Sequence, residues 1–170
     1  MDEEAYRAAY QRINQNRCVF EKMVLLRYGS CKNAKKLLLA EREAYACQSV
    51  SDQSKCQELL ELMRNNARFS LQLTQVDGPL PHAKELKVQA GGLFGLQQLL
   101  NEKNAAQITS LYDDEAKFGE QPQTPVLNIV ESVAQAETTY DTLEAIPYNE
   151  LVKSIINFKL RERKKRTKKK

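Results

Sequence analysis

This 170-residue sequence predicts a mostly α, single-domain helical bundle of about five to seven helices, with room for a small β-hairpin around residues 69–89. Three observations support that expectation. Apolar residues recur at three- and four-residue intervals through most of the chain, the spacing of one helix face. Only six Gly and five Pro punctuate it, too few for a turn-rich sheet protein. Its length suits one domain, which at this size buries roughly 70% of its unfolded surface. Its 42% hydrophobic and 28% charged residues are ordinary for a globular protein. The domain is expected to span residues 1–158, followed by a disordered basic tail at 159–170.

Taken in order, Tyr6, Ala9, Ile13, Phe20 and Val24 predict a first helix from Glu3 to Leu26. Gly29 suits a helix stop and Ser30 the next start. Ala34, Leu37, Leu38, Glu41, Ala44 and Tyr45 then predict a second helix from Cys31 to Cys47. Ser54 followed by Gln57 has the form of a capping box, opening a third helix with Cys56, Leu59, Leu60, Met63 and Ala67 on one stripe.

The middle of the chain reads in two ways. Phe69, Leu71 and Leu73 alternate with polar residues as in a strand, and Asp77-Gly78-Pro79 reads as a turn. Leu86 and Val88 complete a hairpin on that reading. Ala83, Leu86, Ala90, Leu93 and Leu100 equally fit a helix over 81–100, which the pair Gly91-Gly92 weakens by about 1 kcal/mol per glycine. The hairpin, followed by a helix beginning near Gly92, is the preferred expectation. Gly91 and Gly95, four apart, predict close approach by a neighbouring element; neither a P-loop nor a GxGxxG pattern is present.

Ala105, Ile108, Leu111, Tyr112 and Phe118 predict a further helix, ended by Gly119. Thr124 and Pro125 offer the start of the next, with Val126, Ile129, Val130 and Val133 on its face. A last helix from Pro147 presents Leu151, Val152, Ile155, Ile156 and Phe158. That stripe predicts docking on the domain's own core, with a protein partner or self-association through Leu151–Phe158 as the alternative. The expected core comprises Phe20, Val24, Leu38, Leu60, Met63, Leu96, Ile108, Val130 and Ile155.

Function is read from two features. The first is the C-terminal tail, where Lys159, Arg161, Arg163, Lys164, Lys165, Arg166, Lys168, Lys169 and Lys170 stand against the single acid Glu162, a segment charge of +8. The whole chain is +4, so the rest sums to −4. A basic, apolar-poor end on an acidic body is expected to be solvated and to contact a polyanion such as RNA, DNA or the ribosome. With no aromatic to stack a base and no Asn or Gln to read one, that contact has no sequence specificity. An anionic membrane surface or an acidic protein offers similar chemistry. This leads to a non-enzymatic cytoplasmic binding protein as the first expectation. The acidic start Met1-Asp2-Glu3-Glu4 does not resemble a secretory signal, and no apolar run approaches the length of a membrane span.

The second feature is the crowding of Cys18, Cys31, Cys47 and Cys56 before residue 57. In a reducing compartment these are small core residues, ligands to zinc or an iron–sulfur cluster, or a redox pair. Their spacing matches no CxxC pattern. A continuous helix from Cys31 to Cys47 also holds those two sulfurs roughly 24 Å apart. On that reading only Cys47 and Cys56 come close, and a shared four-cysteine site requires the second helix to be broken.

Catalysis finds no other anchor. His82 is the only histidine and reads as a turn residue with a local hydrogen bond. The acids Glu41, Glu43, Asp113, Asp114 and Glu115 read as solvated helix faces.

Overall fold

The computed structural model describes residues 2–39, 41–74, 80–109, 126 and 128–160, with only the backbone for 105–109. Helices α1 (Glu3–Ile13) and α2 (Glu21–Leu25) lead into strands β1 (Ala34–Leu39) and β2 (Arg42–Cys47). Helix α3 (Val50–Ala67) follows, then α4 (His82–Leu86), a π-helical turn (Lys87–Gly91) and α5 (Gly92–Thr109). Helix α6 (Ile129–Tyr140), a 3-10 turn and α7 (Tyr148–Asn157) complete the order. The fold is thus mostly helical with one small antiparallel hairpin. No helix among the described residues is long and apolar enough to cross a membrane.

The hairpin lies elsewhere than expected. Residues 34–47 pair antiparallel from Ala34↔Cys47 to Leu39↔Arg42, where a continuous helix was predicted. Helix formers fill this stretch, but an outside partner overrides their propensity. The Cys18 N–H donates to the Tyr45 carbonyl at 2.9 Å and the Cys47 N–H to Asn16 at 2.6 Å. Residues 16–18 thus add an edge to β2 that a helix could not use, because a helix satisfies its amides internally. That edge also divides the predicted first helix, since α1 ends at Ile13 and the chain extends before α2. Leu38, expected in the core, points outward from β1 and is 71% exposed. Glu41 and Glu43 lie in the hairpin, where Lys36 Nζ donates to Glu43 at 2.5 Å.

Around 69–89 no strand forms among the described residues. Phe69 is 87% exposed, and its alternation with Leu71 and Leu73 belongs to turns after α3. The helical alternative holds from His82 onward and runs through both glycines. Helix α3 begins one turn earlier than predicted, with Ser49 Oγ accepting from the Asp52 N–H at the N-cap. The Asp77-Gly78-Pro79 turn, the Leu111–Phe118 part of the next helix and the Thr124-Pro125 start lie outside the described residues. So does the Ile108 side chain.

The core joins α3, α5, α6 and α7, with Leu59, Met63, Leu93, Leu96, Leu151 and Ile155 fully buried. Phe20, Val24, Leu60 and Val130 are buried as expected. Gly91 and Gly95 are the reason α7 seats so closely. A Cβ on Gly91 would fall 2.9 Å from Ile155 Cα, and one on Gly95 2.8 Å from Ser154 Cβ. The π turn lies at this crossing, against α7. Ser154 Oγ–H donates to the Gly91 carbonyl at 2.8 Å. Leu151, Ile155 and Phe158 are therefore committed to the protein's own core, and Ile156 is the exposed remainder of the stripe.

Candidate functional site

Breaking the predicted second helix has a direct chemical consequence: Cys18, Cys31, Cys47 and Cys56 all line one cavity. The gap encloses about 330 Å³ of non-atom space, its mouth included, with room inside for about one water. Each cysteine comes from a different segment. Cys18 is on the edge stretch beside β2, where its carbonyl accepts from the Glu21 N–H at 3.2 Å to open α2. Cys31 lies just before β1, and the chain on either side of it is tied to the start of α6. There the Ser30 N–H donates to the Val126 carbonyl at 2.9 Å, and the Lys32 N–H to Asn128 Oδ1 at 3.2 Å. Cys47 ends β2 and its thiol donates to the Ser49 carbonyl at 3.1 Å. Cys56 projects from α3 on the same stripe as Leu59 and Met63.

Val19, Phe20, Ile129 and Val130 supply apolar walls. At the rim, Asn33 Nδ2 donates to Asp52 at 2.7 Å, and Gln53 Nε2 donates to the Arg17 carbonyl at 2.7 Å. Cys31 also borders a second, wider cavity with Arg27, Ser30 and Tyr45, so one side of the site faces solvent.

All four cysteines are free thiols. Cys18 and Cys56 are buried, and burial pushes both up to about 12, with the neighbouring cysteines adding to the shift. The neighbouring Phe20 backbone partly offsets this at Cys18. Thiols held neutral in this way are poor nucleophiles, which disfavours a thiol-exchange centre. A bound cation reverses that preference by stabilising the thiolate directly. Among the described residues, no group of three or more Cys, His, Asp or Glu is already placed to hold a metal ion, so binding one would have to draw the thiols together.

Two buried carboxylates fix the backbone behind the site. Glu21 accepts from Tyr10 Oη at 2.8 Å, Arg17 Nε at 2.7 Å and the Tyr45 N–H at 2.8 Å, locking α1, α2 and β2 together. Glu85 accepts from Arg64 Nη2 at 2.6 Å and Gln89 Nε2 at 2.8 Å. Gln89 Nε2 also donates to the Val19 carbonyl at 3.3 Å, one residue from Cys18. Neither carboxylate was singled out from sequence, where buried and solvated acids look alike. The spacing of Arg64 and Glu85 gives no signal because they lie on different helices.

The other sequence candidates do not join this site. His82 is exposed at the first residue of α4. Of the basic residues, Lys159 lies just past α7, while Arg161, Arg163, Lys164, Lys165, Arg166, Lys168, Lys169 and Lys170 lie outside the described residues. Compared with protein-family models, curated proteins and solved structures, the chain matches none.

Proposed function

We propose that this chain is a metal-centre protein whose working site is the four-cysteine cavity. The observation that supports the reading is the convergence itself. The chain has four cysteines in 170 residues, and all four line one gap from four separate segments. Cysteines used only as small apolar residues have no reason to gather at one point of the core. Thiolates are soft ligands suited to zinc and iron–sulfur groups. No histidine lines the cavity and its one carboxylate, Asp52, is held by Asn33, which favours a structural or electron-transfer centre over acid–base catalysis. Four free thiols in one site fit a reducing, cytoplasmic setting.

The test is metal analysis and an absorbance spectrum of the full chain purified without oxygen. Bound zinc or iron is the expected result. A metal-free chain with full helical content, still empty after exposure to both metals, overturns the reading.

The charge division supports a second, separate role for the tail. A +8 segment on a −4 remainder favours a phosphate backbone over a neutral partner. Binding of a mixed-sequence RNA is expected to weaken steeply with salt, and removing Arg161–Lys170 to abolish it without loss of helicity. Unchanged affinity in the shortened chain refutes this role.

A further inference from the structure

We propose that the outer edge of β1 is a docking site for an extended segment of a partner protein in which acidic and apolar residues are interspersed. This site depends on neither the metal-centre reading nor the role of the tail.

The two edges of the hairpin differ. In an antiparallel ladder, residues whose N–H and C=O face the paired strand alternate with residues whose groups face away. On β2 the groups of Tyr45 and Cys47 face away, and the chain uses them. The Tyr45 N–H donates to Glu21 at 2.8 Å and its carbonyl accepts from the Cys18 N–H at 2.9 Å. The Cys47 N–H donates to the Asn16 carbonyl at 2.6 Å. Lys36 stands opposite Tyr45 and Ala34 opposite Cys47, so the outward groups of β1 are those of Ala34, Lys36 and Leu38. The Gln48 N–H, donating to the Asn33 carbonyl at 2.8 Å, continues the same alternation. The Ala34 N–H turns back to the Cys31 carbonyl at 3.1 Å. Among the described residues, no group bonds the outward N–H and C=O of Lys36 and Leu38. Both residues are exposed, so this edge is open while the other is closed.

An added strand gains main-chain hydrogen bonds at such an edge, and the side chains select which strand. Residues 31–40 hold three lysines and no acid. Lys32 engages Glu131 and Lys36 engages Glu43, whereas Lys35 has no ion pair among the described residues. A second copy of β1 fits poorly, because antiparallel self-pairing gathers Lys35 and Lys36 of both copies, and like charges across strands destabilise. Edge lysines guard against that pairing. They attract a strand of opposite charge. Lys35 and Lys36 point to opposite faces, with Leu38 on the face of Lys36. Two adjacent acids followed by two apolar residues therefore match this edge on both faces.

The experiment uses the full chain and a synthetic peptide of three Glu-Glu-Val-Val repeats, with amide hydrogen exchange read by NMR. Saturating peptide is expected to slow exchange at Lys36 and Leu38 by about tenfold or more and to leave Tyr45 and Cys47 unchanged. Lys35→Glu should weaken binding about threefold or more. Leu38→Pro removes one outward donor, a change that an edge strand accommodates, and should abolish the protection with circular dichroism unchanged. Peptide binding without protection at Lys36 and Leu38, and equally tight in Lys35→Glu, places the peptide on the basic tail and overturns the edge site. Slow exchange of both amides in a free monomer shows the edge already closed and also overturns it. A dimer by sedimentation that protects these amides without peptide gives the edge to a second copy and refutes the acidic occupant.

Discussion

At Glu85 a carboxylate only 1% exposed is held by Arg64 and Gln89, and its worth depends on all of its partners staying in place. Arg64→Met leaves that charge buried and uncompensated, which costs about 3–5 kcal/mol. Urea unfolding should show it as a lowered midpoint with an unchanged slope. Replacing both residues by apolar ones should cost less than the single change, since the desolvation penalty then disappears with the charge. The thiols divide in the same way. In the metal-free chain, pKa values of about 12 at Cys18 and Cys56 leave about one thiolate in 10,000 at pH 8. Alkylation followed by mass spectrometry should mark Cys31 and Cys47 first. The neutral thiols of Cys18 and Cys56 contribute stability fully below their ordinary value of 9.0 and lose it as pH rises toward 12. Unfolding midpoints across that range should fall less in a Cys18→Ala, Cys56→Ala double variant.

The crossing of α7 over the π turn decides the sign of a substitution that propensity alone would misjudge. Ala in place of Gly91 gains about 1 kcal/mol of helix propensity. Its Cβ, however, would lie 2.9 Å from the Ile155 backbone, and overpacking of that kind costs about 1–3 kcal/mol. Net destabilisation and a lower Tm are therefore expected for Gly91→Ala. This crossing was legible in the sequence because two glycines four apart have few other uses within an apolar helix. The Cys56–Ala67 stripe was legible for a similar reason, its face being both long and periodic. The hairpin at 34–47 was not. Leu, Ala, Lys, Glu and Arg fill it at helical spacing, and the sequence between its strands, Ala40-Glu41, has no Asn or Gly. What makes it a hairpin is the edge offered by Asn16–Cys18, a contact that no local pattern records. The convergence of the cysteines was hidden by the same contact, since it follows only once β2 has a partner.

On the scale of the whole molecule, charge and chemistry are separated along the chain. The thiol site draws on the first 56 residues plus the start of α6, while the basic excess begins at Lys159. Disabling one is therefore expected to spare the other. Removing Arg161–Lys170 should leave metal content unchanged, and Cys31→Ser should leave the salt dependence of RNA binding unchanged. Measuring both quantities on both variants checks this directly.

The distribution of the site's walls also sets an order of events during synthesis. All four cysteines are made before Ile129 and Val130, which close the apolar side of the cavity. About 70 residues separate Cys56 from Ile129. At roughly 5–20 residues per second, the ribosome takes about 4–14 s to cover that distance. For that interval all four thiols exist in the chain before the residues of the wall that later covers them, so the apolar side of the cavity is the last part of it to be completed.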